Sequence, residues 1–126
     1  MIYSVIVAVM LALDIPWVVL NGKFGVYRDQ LVGSRRWALP IIWVAMVLLN
    51  AALLARVIGS ADWRRAAVWG ALTGAAVYFT FNGTALMTNA AWTARLAAID
   101  TLWGVLLFGA AAAAAAVVAA RWKSRP

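Results

Sequence analysis

Two carboxylates stand out in a chain made mostly of hydrocarbon: Asp14, in Asp14-Ile-Pro-Trp17, and Asp100, in Asp100-Thr-Leu-Trp103. At a spacing of three, acid and indole lie on one face of a helix. A third polar group, Asn82, closes a series in which Gly70, Gly74, Tyr78 and Asn82 recur every four residues, again on one face. Acids inside an apolar chain can exchange a proton, hold a ligand or ion, or serve as general acid and base. An indole N–H can also simply donate to a carboxylate, so the same pairs have a structural use in tying helices together. The chain has no Cys and no His, which excludes disulfides, thiolate metal sites, haem attachment and any Cys or His nucleophile-base pair. No metal site and no cofactor are expected. Enzyme chemistry would rest on the two carboxylates, with at most a metal held by oxygen ligands. No Gly-rich phosphate loop or nucleophile motif favours it.

The elements that must position these residues follow from composition. Hydrophobic residues make up 67% of the 126 and charged residues 12%, with a mean hydropathy of +0.90; a soluble domain of this size could not hide that much apolar surface, whereas lipid accepts it. We expect one all-α domain over residues 1–126, an integral membrane four-helix transmembrane bundle with spans at about 1–20, 37–58, 66–87 and 96–120. The first stretch lacks the basic start and small-residue cleavage site of a signal peptide and reads as a membrane helix, with Pro16 freeing the carbonyl of Ala12 and loosening the turns after Asp14. Residues 21–36 read as an interfacial loop opened by Asn21-Gly22, residues 59–65 as a short polar turn, and residues 88–95 as a third loop. Gly70-x-x-x-Gly74 admits a close neighbouring backbone, and the alanines from Ala110 to Ala116 suit tight helix packing. Eight Trp and three Tyr suit helix ends at two lipid-water boundaries.

With four spans, the first helix ends on the side where the fourth begins. Asp14 lies about two turns before one end, Asp100 about one turn into the other, and Asn82 near the end of the third span. Asp14, Asn82 and Asp100 should therefore share a level roughly 6 to 10 Å inside one interface, roofed by Tyr27, Arg28 and Trp92 from the first and third loops. There the two carboxylates could share a proton. The net charge of +7 is spread singly or in pairs between apolar stretches, reading as membrane-side anchors and not as a nucleic-acid surface. Both termini fall on one side with six Lys and Arg against five on the other, which leans the termini to the cytoplasm and leaves dual insertion open.

At these residues the chain resembles the predicted membrane proteins catalogued as domain of unknown function 2177. The shared pattern is D-x-x-W at the end of the first helix, an aromatic-Tyr in the next loop, G-x-x-x-G-x-x-x-Y leading into a polar stretch, a Trp, and D-x-x-W-G. Matching positions are Asp14 and Trp17, Tyr27, Gly70, Gly74 and Tyr78, Asn82, Trp92, and Asp100, Trp103 and Gly104, spread over nearly the whole chain. Two positions depart from the pattern: Asn82 stands where the family pattern also has Asp, and Ala85 where it has Asn. Asp14 and Asp100 become the residues to follow. The resemblance implies a four-helix integral membrane protein and no established activity.

The leading expectation is a small membrane protein that binds or transports a small polar solute, a lipid headgroup or a proton, with Asp14, Asp100, Asn82, Tyr78, Trp17 and Trp103 as the site. Three others stand beside it: a structural or assembly subunit packing its Gly and Ala faces on partner helices, a proton-coupled exporter like the small multidrug transporters, and a lipid-modifying enzyme. The expected partner is the lipid bilayer. Four short helices enclose little, which leaves room for a homo-oligomer or a partner in a membrane complex.

Overall fold

A computed structural model of the chain describes residues 1–23, 39–59 and 62–124. Among the described residues four helices follow one another: α1 (Ile2–Lys23), α2 (Leu39–Ile58), α3 (Trp63–Thr88) and α4 (Ala94–Lys123). Tyr27, Arg28 and the expected start of the second span at Trp37 lie outside the described residues.

The helices run further than their apolar stretches. α1 continues through Asn21-Gly22, expected as a turn, because the Asn21 side chain donates to the Trp17 carbonyl at 3.0 Å and bonds back within the helix. Pro16 lies inside α1, and the helix runs on to Lys23 around it. The polar turn expected at residues 59–65 is shorter. Gly59, at φ 50°, ends α2 in the left-handed conformation that glycine tolerates best. Asp62 then caps α3, its carboxylate accepting the backbone N–H of Arg64 at 2.9 Å and of Arg65 at 3.1 Å, so Trp63, Arg64 and Arg65 are helical. The third loop also contracts: Thr93 caps α4 by accepting the Leu96 N–H at 3.1 Å, leaving Asn89 to Thr93 as the connection.

α3 and α4 form the most extensive contact, and α4 also meets α1 and α2. The pairing of α3 with α4 follows from small residues in antiparallel register. A Cβ on Gly70 would collide with the Phe108 carbonyl and Ala112, and one on Gly74 with the Gly104 carbonyl. Gly104 in turn leaves room for the Tyr78 ring. The alanine run joins this seam: Ala111, Ala112 and Ala115 are fully buried. Elsewhere Ile6, Met10, Ala51, Leu54 and Phe108 fill the interior.

Outward faces are strongly apolar, with Leu49, Phe79 and Met87 at least 70% exposed. So much exposed hydrocarbon belongs against lipid. Among the described residues three helices, α1, α2 and α4, are long and apolar enough to cross a membrane. α3 has the length, at 26 residues, but its glycines, threonines, Tyr78 and Asn82 hold its apolarity below that of the other three.

Candidate functional site

The site lies where α1 and α3 end and α2 and α4 begin. Asp14, on α1, is 5% exposed, and each of its carboxylate oxygens accepts an indole N–H: Oδ2 from Trp43 of α2 at 2.6 Å, Oδ1 from Trp103 of α4 at 2.9 Å. One acid thus joins three helices.

Trp103 therefore donates to the acid of the other motif and not to Asp100, three residues before it. Its ring stacks on Trp17 with centroids 4.4 Å apart and planes within 4°, so the two D-x-x-W motifs interlock: indole lies on indole, and the second indole holds the first acid.

Asp100 is buried on the α3 side of α4. Its Oδ2 accepts from Asn82 Nδ2 at 2.8 Å, and the same amide nitrogen donates to the Tyr78 carbonyl at 2.9 Å. The Asn82 amide oxygen accepts the indole N–H of Trp92 at 3.0 Å. This network fixes the amide orientation, because only the nitrogen can donate to Asp100 and only the oxygen can accept from Trp92. Trp92 reaches inward from the short connection between α3 and α4, with Phe81 edge-on to it at 5.7 Å.

Tyr78 stands between the two acids. Its ring lies in the gap left by Gly104, edge-on to Phe108 at 6.0 Å. Each of the two Asp14 oxygens accepts one indole N–H, from Trp43 and from Trp103.

The structure brings Asp14, Trp17, Tyr78, Asn82, Trp92, Asp100 and Trp103 to one end of the bundle, with Gly70, Gly74 and Gly104 in the α3–α4 seam. Tyr27 and Arg28 lie outside the described residues. The residue missed from sequence is Trp43. Its signal was its place about two turns into the expected second span, level with Asp14, but an indole in an apolar run reads first as an anchor.

Among the described residues no Lys or Arg pairs with Asp14; two neutral N–H groups hold it. Carboxylates walled by indoles and a phenol have the chemistry of a site for a proton or a small organic cation.

No curated protein and no solved structure gives a match to the chain. A family profile does, over residues 1–117, and its span takes in both D-x-x-W motifs and the glycine seam. The chain therefore belongs to the family described as predicted membrane protein, domain of unknown function 2177.

Proposed function

We propose that this is a four-span membrane protein whose polar end takes up a small cationic solute or a proton, with Asp14 as the group it meets. One observation carries the reading: a carboxylate buried in a helix long and apolar enough to cross a membrane, with only neutral donors among the described residues. A buried charge in lipid surroundings is costly unless something balances it. An exchangeable proton or a protonated amine would balance it, and Trp17, Trp43, Trp103 and Tyr78 supply aromatic surface beside it.

The fourth crossing is supported by register. α3 lies along α4 from Gly70, opposite Phe108 and Ala112, to Asn82, opposite Asp100, so α3 traverses the same depth as α4. Four crossings put both ends of the chain on one side, and the excess of one basic residue leans that side to the cytoplasm.

The test uses protein reconstituted in liposomes carrying an internal pH-sensitive dye, with ethanolamine as the cationic probe. Wild type should move protons or take up ethanolamine at a saturable rate, and Asp14→Asn should lose at least nine-tenths of it. Equal rates in empty and protein-loaded liposomes, or in wild type and Asp14→Asn, would overturn the proposal.

A second reading has its own support. Among the described residues every buried side-chain nitrogen and oxygen has a hydrogen-bond partner, which also suits a bundle stapled by its polar groups to serve as a subunit of a larger membrane assembly. On that reading Asp14→Asn loses stability with no transport to lose, and a partner co-purifies in fixed ratio.

A further inference from the structure

At the other end of the bundle, away from the two acids, a cleft of about 480 Å³ opens between the start of α1, the end of α2, the start of α3 and the end of α4. Its walls include Ile2, Ile58, Trp63, Ala116, Val117 and Ala120, and the exposed Arg121 and Lys123 also line it. We infer that this cleft holds one acyl chain of an anionic phospholipid, whose phosphate meets Arg121 and Lys123.

Three observations support a lipid. Three of the helices around the cleft, α1, α2 and α4, are long and apolar enough to cross a membrane, so its walls continue the lipid-facing surface. Trp63 and Trp122, both more than half exposed, flank this end, where amphipathic rings mark the boundary between hydrocarbon and headgroups. The volume falls in the range of sites that bury most of a small ligand.

Charge selects the headgroup. Arg121 and Lys123 close α4 at the C-terminal end of its dipole and lie exposed along the cleft. Asp62 also lines the cleft, but its carboxylate is turned to the α3 N-terminus, accepting two backbone N–H groups with Arg65 Nε 3.9 Å away. The acid is thus committed to the cap, and the two cations remain to meet a phosphate.

The inference is independent of the Asp14 site and is tested without it. Spin-labelled phosphatidylglycerol and phosphatidylcholine are compared on the purified protein in mixed-lipid vesicles, by the immobilised fraction of the resonance signal. Wild type should prefer phosphatidylglycerol, and Arg121→Gln with Lys123→Gln should reduce that preference about fivefold for each cation removed. Arg64→Gln, on an arginine over the Trp63 ring and outside the cleft, should leave it unchanged. Ala120→Phe, at an exposed wall position, should remove the immobilised component for both lipids while helix content holds. An equal loss in Arg64→Gln would reduce the effect to diffuse surface attraction and overturn the site, as would full immobilisation in Ala120→Phe. Competition by free inorganic phosphate as effective as that by lipid would overturn the acyl-chain part.

Discussion

At the scale of single residues, the two acids are held differently, and the difference is measurable. Asp14 depends on donors from two other helices, so Trp43→Phe and Trp103→Phe should each destabilise the bundle by about 1 kcal/mol, in the range of hydrogen bonds between membrane helices. Trp103→Phe keeps an aromatic ring against Trp17, which separates loss of the N–H from loss of the stack. With Asp14 already replaced by Asn, the same change should cost clearly less, because the bond it removes is already weakened. Denaturant unfolding of the four proteins in one detergent measures this coupling. Asp62 gives a pH-dependent counterpart outside the membrane. The Arg65 N–H, which its carboxylate accepts, is the main cause holding its pKa below the usual value; desolvation opposes it, and the Arg64 N–H and the charges of Arg65 and Arg64 add smaller lowering effects. A lowered folded pKa means that its stabilisation is complete above the unfolded value, near 3.8, and is lost as pH falls through the folded one. Protection of the Arg64 and Arg65 amides, their exchange rate relative to that of an unprotected amide at the same pH, should therefore fall on acidification below pH 4, and Asp62→Asn should flatten that dependence.

At the scale of elements, the seam between α3 and α4 is set by glycines that differ in what they permit. Gly74→Ala would drive a methyl group into the Gly104 carbonyl and should cost about 1–3 kcal/mol as the helices part. Gly83→Ala, on the same helix with open space around its Cβ position, should instead stabilise by about 0.5–1 kcal/mol. Thermal unfolding of the two variants side by side checks both signs. The four-residue period of Gly70, Gly74, Tyr78 and Asn82 made this seam legible in the sequence, since period and face are one statement in a helix. Helix ends were less legible. Apolarity marks where lipid contact stops, whereas the backbone continues until a cap or a left-handed glycine ends it. Asn21, Asp62 and Thr93 decide those ends by side-chain hydrogen bonds that composition does not weigh. Trp43 was hidden for a related reason: its partner is 29 positions away, and periodicity within one helix carries no information about which indole on another helix reaches an acid.

At the scale of the whole molecule, polar groups gather at one end and a basic-rimmed cleft opens at the other. This polarity predicts how the chain sits in a bilayer. With four crossings, Cys introduced at Gly59 and at Ser124 should label from the same side of sealed vesicles, and Cys at Ala91 from the other. Labelling of Gly59 and Ala91 from one side would remove α3 from the membrane and with it the four-span reading. The most direct test of the central claim, that Asp14 meets a cationic group, is the unfolding temperature in neutral-lipid nanodiscs as ethanolamine is titrated in. A ligand bound only by the folded protein raises that temperature saturably. Wild type is predicted to rise and level off while Asp14→Asn stays flat; a flat wild type, or equal rises in both, would contradict the account.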